Sequence, residues 1–159
     1  MTHIHKLIDF VVDVFIVRKG KILLVLHKKL KKWLPIGGHI ELNEDPDEAL
    51  FREVREECGL EIELLGNKPS IKSKGTKFLY SPAFLDIHNI TDIHKHTGLC
   101  YFAKAKSGKF KFNKKEHDNI HWFSGKDLDS PKFNLSLAVK FYAKEALNRA
   151  NYGNKKNPK

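Results

Sequence analysis

The hydrophobic pattern at the start of the chain predicts a β-hairpin. Residues 10–17 are almost all β-branched or aromatic, which is typical of a buried strand. A short polar turn separates them from a second apolar run at residues 22–26, so the two segments are expected to pair. A charged loop at residues 28–32 and a short apolar segment then lead to Gly37 and Gly38, where the backbone can turn sharply.

The next segment carries the start and stop signals of a helix. Asp45 is placed to cap it, Pro46 suits its first position, and Glu48 stands where a capping box requires an acid. Gly59 is placed to end the helix in the left-handed conformation that glycine adopts without strain. The predicted helix therefore runs from residue 46 to residue 58.

The rest of the chain alternates short apolar runs with polar loops. The runs predict strands at residues 62–65, 83–88, 99–105 and 120–123, and a polar loop occupies residues 66–81. Apolar residues recur at helical spacing near the end, at Leu135, Ala138, Val139, Tyr142 and Ala146.

Two helices among about six strands predict an α/β fold in which a mixed sheet lies between helices. Neither a linker nor an internal repeat divides the chain, so residues 1–150 are predicted to form a single domain. Residues 151–159 are predicted to be a polar tail.

The charge of the chain is strongly positive but unevenly distributed. Lys and Arg number 29 against 19 Asp and Glu, for a formal net charge of +10. Such a surface attracts polyanions, although solvated lysine faces would give the same total. Eight of the 19 acids nevertheless fall between residues 41 and 57. This segment is acidic within a basic chain, which makes it the first place to look for catalytic or metal-binding residues.

The two cysteines, Cys58 and Cys100, show no spacing typical of a disulfide framework or a zinc site. The first residues are charged and polar where a signal peptide would need an apolar run. No apolar stretch approaches the ~20 residues of a membrane span. We therefore expect free thiols, a cytoplasmic location and no membrane partner.

Three glutamates of the predicted helix, Glu53, Glu56 and Glu57, fall on one side of it because they are spaced at i, i+3 and i+4. The apolar arc of the same helix is predicted to be buried, at Leu50, Phe51, Val54 and Cys58. Clustered carboxylates repel one another, and Mg²⁺, which prefers carboxylate and water oxygens, removes that repulsion. The alternative is a solvated acidic face that pairs with Arg52 and Arg55.

The three glutamates belong to a longer pattern of spaced residues. After Gly38 come five residues, Glu44, seven residues and then residues 52–60, Arg-Glu-Val-Arg-Glu-Glu-Cys-Gly-Leu. This pattern resembles the signature of the Nudix hydrolases in every fixed position, with Val54 and Leu60 at its two aliphatic sites. The signature covers about a seventh of the chain. The strand order around it also resembles the Nudix-type, MutT-like α/β/α sandwich with a mixed β-sheet.

The resemblance implies a hydrolase that uses Mg²⁺, with Mn²⁺ as the alternative cation, to cleave a phosphoanhydride bond by attack of water on phosphorus. Its substrate would be a nucleotide or another nucleoside diphosphate-linked small molecule. Glu56 and Glu57 would be the principal metal ligands, Glu53 a ligand or the base for the water, and the carbonyl oxygen of Gly38 would complete the metal shell. In-line displacement relies on positioning and charge neutralisation, so no nucleophilic side chain is expected.

Supporting roles follow from the same resemblance. Arg52 would pair with Glu44 and hold the helix against its loop. Gly37 would let the backbone approach the metal closely, and Gly59 would end the helix.

A further acid is expected from outside the signature. Glu116 lies just ahead of the strand at residues 120–123. That placement resembles the loop acid of the nucleoside triphosphate-cleaving members, which makes Glu116 a candidate catalytic residue. An exposed charge in a lysine-rich segment is the alternative, and Asp118 is a second candidate for the same role.

Residues beyond the signature bear on the substrate. Residues 74–76, Lys-Gly-Thr, stand where ADP-ribose-cleaving members carry a proline, and Tyr80 is too far along for the tyrosine of dinucleoside polyphosphate enzymes. The motifs of the coenzyme A and NADH classes are absent. Elimination thus favours a nucleoside triphosphate pyrophosphohydrolase, with a dinucleoside polyphosphate hydrolase as an alternative.

Several side chains are weaker candidates for substrate binding. Asn134 could recognise a base edge, although an asparagine that caps the last helix is the simpler explanation. Phe78 and Tyr80 could stack on a base, and packing is the alternative. Lysines of the 66–81 loop could steer a polyphosphate. His94 and His96 lack further metal ligands that the sequence would place beside them.

A different class of function also stays open. A catalytically reduced module on the same fold could bind nucleotide or RNA, although no aromatic–basic RNA motif is present. Degenerate members usually lose a glutamate, whereas Glu53, Glu56 and Glu57 are all retained here. Dimers are common in the family, so a homodimer is a further open alternative.

Overall fold

The computed structural model describes residues 4–107 and 110–155. Over these ranges the elements are β1 (Ile8–Arg18), β2 (Lys21–His27), β3 (Trp33–Leu34), β4 (Ile36–His39), α1 (Pro46–Glu57), β5 (Glu61–Leu64), β6 (Phe84–Asn89), β7 (Lys95–Ser107), β8 (His117–Phe123), α2 (Gly125–Asp129), a 3₁₀ helix (Pro131–Phe133) and α3 (Leu137–Lys155). The strands and the two longer helices that the hydrophobic pattern predicts are present. Among the described residues, no helix combines the length and apolar character needed to cross a membrane.

Strand β1 is the hub of the sheet. In the described part of the chain, eight strands form one mixed sheet. β1 pairs antiparallel with β2 and β4 and parallel with β7. β2 also pairs with β3 and β8, and β7 with β5 and β6, all antiparallel. The pairing of β1 with β4 sets Gly37 opposite Asp13 and Gly38 opposite Val12, which brings the glycine pair to the middle of the sheet.

Strand β1 is apolar on both faces because a helix covers each of them. Val12 and Val14 join the core beneath α1, whereas Phe15 joins the core beneath α3. Successive side chains of a strand point to opposite faces, so one strand supplies both cores. The result is the predicted α/β/α sandwich.

Helix α1 begins and ends as predicted. Asp45 Oδ1 accepts a hydrogen bond from the Glu48 amide at 3.1 Å, and Glu48 Oε2 accepts one from the Asp45 amide at 3.0 Å, which completes the capping box. At the other end, Gly59 has a φ of 65° and donates its amide hydrogen to Val54 O at 2.9 Å. Caps of this kind contribute about 1 kcal/mol each, so both ends of α1 are encoded locally.

The buried face of α1 is rotated from the predicted arc. The prediction that Phe51 is buried is wrong, because this residue is 39% exposed while Ala49 is fully buried. Glu53 and Glu57 are themselves buried, with 8% and 4% exposed. The helix has turned these carboxylates toward the glycine pair, and Phe51 moves outward as a consequence.

The C-terminal region differs from the prediction at three points. Asn134 does not cap α3. It ends the 3₁₀ helix with a φ of 45°, and Ser136 Oγ accepts the hydrogen bond from the Val139 amide instead. The sequence pattern missed α2, because five residues with one buried side chain, Leu128, show no helical period. Helix α3 continues to Lys155, five residues into the predicted tail, and residues 156–159 lie outside the described residues.

Candidate active site

An open cleft of about 710 Å³ lies between the glycine pair, the loop before α1, the C-terminal half of α1 and the residue that precedes β8. Its lining includes Ile4, His27, Gly37, Gly38, His39, Glu41, Leu42, Asn43, Glu44, Arg52, Glu53, Glu57 and Glu116. Most of the signature residues therefore converge on one depression of the surface.

Two buried carboxylates stand at the base of this cleft. Glu57 Oε2 accepts a hydrogen bond from the Gly37 amide at 3.1 Å, and its Oε1 lies 2.9 Å from His117 Nε2. Glu53 Oε1 accepts a hydrogen bond from Arg52 Nη1 at 2.7 Å. Both carboxylates are thus held in place by protein donors while they line the cleft.

Burial changes the proton affinity of both groups. Desolvation raises the pKa of Glu53 to about 7, although Arg52 opposes this change, and the neighbouring Glu57 and Glu56 add to it. Desolvation also raises the pKa of Glu57, against the stabilising hydrogen bond from His117. Anionic groups placed so close together and so deep gain much from a cation, and a divalent ion suits them.

Glycine is required at positions 37 and 38 because other atoms of the protein lie very close to their Cα atoms. A Cβ atom added to Gly37 would collide with the backbone carbonyl of Val12, and one added to Gly38 would collide with the carboxylate of Glu53. Because Gly38 carries no side chain, its backbone lies directly against that carboxylate. The structure therefore brings together Gly38, Glu53 and Glu57, three of the predicted metal-site residues.

Arg52 joins α1 to the loop before it, as predicted. Its Nε and Nη2 donate to the two carboxylate oxygens of Glu44, at 2.6 and 2.9 Å, in a bidentate pair. Nη2 also donates to His39 O at 3.0 Å. The guanidinium lowers the pKa of Glu44, mainly through these hydrogen bonds. Arg52 thus connects the helix, the loop and the residue that follows the glycine pair.

Glu56, predicted as a principal ligand, occupies a different environment. Its side chain is 56% exposed, and its Oε2 lies 3.4 Å from Arg52 Nη1. Over the described residues, Glu56 is not part of the cleft lining. The three glutamates therefore share one side of α1, but two are buried and one stays at the solvent edge.

The loop acid that the structure brings to the cleft is Glu116. Donor atoms of Glu57, Glu116 and His117 all lie within 4.8 Å of one another, a spacing that suits a shared cation. Asp118, the other candidate, is directed away and pairs with Lys31 at 2.6 Å. Strand β8 delivers Glu116 and His117 together, because it pairs with β2 beside the cleft.

His117 was not among the residues singled out from the sequence. It is buried, with 3% exposed, and it contacts a glutamate 60 positions away. It follows three charged residues, Lys114, Lys115 and Glu116, so the local pattern predicts an exposed segment. In the structure β8 begins at His117, three residues earlier than predicted, and this earlier start places His117 in the sheet.

The weaker substrate-binding candidates lie away from the cleft. The Tyr80 amide donates to Asp47 Oδ1 at 3.1 Å, and its ring packs against the core beneath α1. Phe78 is half-buried in the same loop, and Asn134 is exposed at the end of the 3₁₀ helix. In the part of the chain that the structure describes, none of the three lines the cleft, and their roles stay predictions.

Two of the loop lysines have other partners. Lys68 Nζ lies 3.1 Å from Asp47 Oδ2, and Lys77 Nζ pairs with Asp45 and lies 2.8 Å from Glu48 Oε1. These lysines neutralise the acidic start of α1. They therefore stabilise the helix rather than extend the cleft.

Comparisons with known proteins agree with this geometry. A family model described as the NUDIX domain matches residues 9–144. A NUDIX-family hydrolase from Clostridium perfringens is 38% identical, with 88% of this chain and 96% of that chain covered and a TM-score of 0.76. A MutT NUDIX hydrolase from Burkholderia pseudomallei is 25% identical, with coverages of 89% and 97% and a TM-score of 0.62. A structure described as a possible asymmetric diadenosine tetraphosphate hydrolase, from Jonesia denitrificans, shares the fold at 15% identity, with coverages of 93% and 96% and a TM-score of 0.62.

Proposed function

The chain belongs to the NUDIX family and is a hydrolase of pyrophosphate bonds, and from that premise we propose that it is a Mg²⁺-dependent nucleoside triphosphate pyrophosphohydrolase. NUDIX enzymes generally use a divalent metal. The identity of the ion, the nucleotide substrate and the residue roles below are parts of the proposal.

The observation that carries the proposal is the pair of buried carboxylates at the cleft. Glu53 and Glu57 lie beside a glycine backbone and opposite Glu116 in a protein of net charge +10. A solvated acidic face, the alternative left open by the sequence, would leave these groups exposed. Their burial and raised pKa values instead favour a site that gains its stability when a cation binds.

The residues present fit such a cation. Glu53, Glu57 and the carbonyl oxygen of Gly38 line the cleft and would hold it, with Glu56 joining from the solvent edge. The bound ion would neutralise phosphate charge and lower the pKa of water. Oxygen donors and a cleft open to solvent match the preference of Mg²⁺ for carboxylates, water and substrate phosphates.

The chain's own groups then position the reaction. A water oxygen forms a bond to phosphorus, the bond from phosphorus to the bridging oxygen breaks, and pyrophosphate leaves with the electron pair. The water proton passes to a carboxylate, for which Glu53 and Glu116 are the two candidates at the cleft. Arg52 keeps Glu53 oriented through the 2.7 Å hydrogen bond. No covalent intermediate on the protein is needed.

Basic groups beside Glu116 support a polyphosphate substrate. The Lys28 amide donates to Glu116 O at 3.0 Å, and Lys28 Nζ donates to Lys114 O at 3.3 Å. Lys28 therefore lies next to the segment that carries Glu116. Its positive charge would attract a polyphosphate chain to this side of the cleft.

The test is release of phosphate and pyrophosphate from a substrate panel, with Mg²⁺ and with EDTA. The panel holds canonical and oxidised nucleoside triphosphates, a dinucleoside polyphosphate, ADP-ribose and a nucleotide sugar. We expect Mg²⁺-dependent pyrophosphate release from a triphosphate. Glu57→Gln should lower kcat by at least about 100-fold, because several kcal/mol of charge stabilisation are lost.

Glu63→Gln is the matched control, since Glu63 is exposed on β5 and far from the cleft lining. Unchanged turnover in Glu57→Gln would contradict the assigned role. Preferred cleavage of the dinucleoside polyphosphate would replace the triphosphate proposal with that alternative. Silence across the panel from a folded protein that binds nucleotide or RNA would favour the binding module.

A further inference from the structure

A second group of side chains with metal-ligating atoms lies on the face of the sheet opposite to α1. Asp9 is the second residue of β1, His94 and His96 flank the first residue of β7, and His39 ends β4. Asp9 and His96 are register partners in the parallel pair of β1 and β7. Asp9, His94 and His96 are buried, with 1%, 4% and 6% exposed, and the His39 side chain is 12% exposed.

The Asp9 carboxylate is surrounded by donors. Oδ1 accepts a hydrogen bond from the His5 amide at 2.6 Å, and Oδ2 accepts one from the Ile4 amide at 3.2 Å. Oδ2 also lies 3.2 Å from His39 Nε2 and 3.3 Å from His94 Nε2. Two backbone amides and two imidazole nitrogens therefore surround this carboxylate.

The hydrogen bond between His94 and the backbone indicates which ring nitrogen carries the hydrogen. His94 Nδ1 lies 3.1 Å from Lys6 O, and a carbonyl oxygen can only accept, so Nδ1 carries the hydrogen. In the neutral ring, Nε2 then presents its lone pair to Asp9 Oδ2. Two acceptors that face each other at 3.3 Å require a cation or a proton between them. Histidines that bind metals commonly show this arrangement, with the second ring nitrogen bonded to a backbone carbonyl.

The spacing suits one tetrahedral ion. With bonds of about 2.0–2.1 Å, two ligand atoms on a tetrahedral Zn²⁺ stand about 3.3 Å apart. The separations of Asp9 Oδ2 from His39 Nε2 and His94 Nε2 match this value. Donor atoms of Asp9, His94 and His96 all lie within 4.8 Å of one another. The rings of His39 and His94 are close to perpendicular to that of His96, at centroid distances of 4.8 and 5.3 Å.

We propose that Asp9, His94 and His96 form a transition-metal site that binds Zn²⁺, separate from the carboxylates of the cleft, with His39, which lies beside Asp9, as the fourth ligand that binding would draw in. Imidazoles together with one carboxylate match the ligands of Zn²⁺ and not those of Mg²⁺, which takes oxygen donors. With His39 as the fourth protein ligand, the coordination shell would be closed and the site would be structural. The proposal rests on geometry independent of the triphosphate hydrolase assignment.

The site would connect three parts of the chain. Ile4 and His5 bind Asp9 through their amides, and His94 binds the Lys6 carbonyl. His39 directly follows Gly38, and its carbonyl accepts the hydrogen bond from Arg52. An ion here would hold the first described residues, the start of β7 and the end of the glycine pair to one centre.

The test is metal binding by the full chain after EDTA treatment, with excess Mg²⁺ present to occupy the cleft. Co²⁺ serves as the visible probe for the Zn²⁺ site, because tetrahedral cobalt absorbs strongly in the visible range. We expect one equivalent of Co²⁺ with this absorption, displaced by Zn²⁺. His96→Gln and His94→Gln should weaken Co²⁺ and Zn²⁺ binding at least tenfold. His88→Gln is the matched control, since His88 stacks near His96 but is not among the four ligands.

A proton shared by His94 and Asp9 would satisfy the same geometry without a metal, and the experiment separates the two. Absence of an equivalent of bound Co²⁺ or Zn²⁺ in the wild type would overturn the proposal. So would binding that persists in His96→Gln, or binding that disappears in the double variant Glu53→Gln, Glu57→Gln, which would place the ion in the cleft. X-ray absorption of the zinc-loaded wild type needs no variant: several imidazole ligands support the site, and an all-oxygen shell excludes it.

Discussion

His117 contacts the buried carboxylate of Glu57, which we propose as a metal ligand. Its Nε2 lies 2.9 Å from Glu57 Oε1, while the Gly37 amide holds the other oxygen. Glu57 is therefore oriented from two directions. Groups of this kind fix the orientation of a metal ligand and raise its affinity.

We predict that His117→Asn weakens Mg²⁺ use about 10- to 100-fold, because Glu57 loses its orienting donor. The measurement is turnover as a function of Mg²⁺ concentration, and the half-saturating concentration should rise more than the KM for substrate. His121→Asn is the control, since His121 is exposed on the same strand. Equal effects of the two substitutions would refute a positioning role for His117.

At the scale of elements, α1 is the part that assembles the site. Its start is neutralised by Lys68 and Lys77, and its middle is joined to the preceding loop by Arg52. The bidentate contact of Arg52 with Glu44 spans eight positions of the chain. The helix therefore cannot shift along the sheet without breaking charge-assisted hydrogen bonds.

We predict that Arg52→Lys lowers the free energy of unfolding by about 2 kcal/mol, because an ammonium group cannot reproduce the bidentate fork. Urea denaturation measures the change, and turnover should fall as well because Glu53 loses its donor. Arg55→Lys, an exposed position of the same helix, should change neither quantity. A tolerated Arg52→Lys would show that the loop is held by other contacts.

At the scale of the whole molecule, both faces of the sheet hold acidic groups. Glu53 and Glu57 are buried on the side of α1, and Asp13 and Asp86 lie close together on the side of α3. A Cβ added to Gly98 would touch Asp13 and Asp86, and Tyr142 donates to Asp86 at 2.7 Å. Burial raises the pKa of Asp13 to about 6, with Asp86 and Glu57 adding to the change and His88 opposing it.

We predict a pH-dependent loss of global stability from Asp13. Its pKa is about 6 in the folded protein, against an ordinary value of 3.8. The folded state therefore keeps the proton to a higher pH than the unfolded state does, and the free energy of unfolding falls as pH rises from about 4 to about 6. This difference corresponds to about 3 kcal/mol, and the partial exposure of the side chain reduces it to about 2 kcal/mol.

Urea denaturation of wild type and Asp13→Asn across that pH range measures the effect. The advantage of Asp13→Asn over wild type should grow by about 2 kcal/mol between pH 4 and pH 6 and then stay constant. Asp92→Asn, in an exposed loop, should follow the wild type. Parallel curves for wild type and Asp13→Asn would contradict the prediction.

Local interactions explain what could be predicted from the residues alone. The ends of α1 depend on Asp45, Glu48 and Gly59, which act within a few residues, and both ends were predicted. The strands of the hairpin follow from two apolar runs, of which the first is interrupted only by Asp13. The pairing of Arg52 with Glu44 was also predicted, because both belong to one short signature.

Contacts between distant segments explain the rest. The rotation that exposes Phe51 and buries Ala49 depends on how α1 settles on the sheet, which its own periodicity does not specify. Glu116 and His117 meet Glu57 only because β8 pairs with β2. Such pairings bring together polar groups whose own segments contain no pattern that predicts a site.

The histidine and aspartate group shows this limit most clearly. His94 contacts the Lys6 carbonyl across 88 positions, and Asp9 meets His96 through the parallel pairing of β1 and β7. Spacing along the chain predicts ligands only when they lie on one element. Helix caps, turns and hydrophobic periodicity depend on interactions over a few residues, so they can be predicted from the sequence. The register between strands decides which distant side chains lie close together, and it is fixed only when both cores pack.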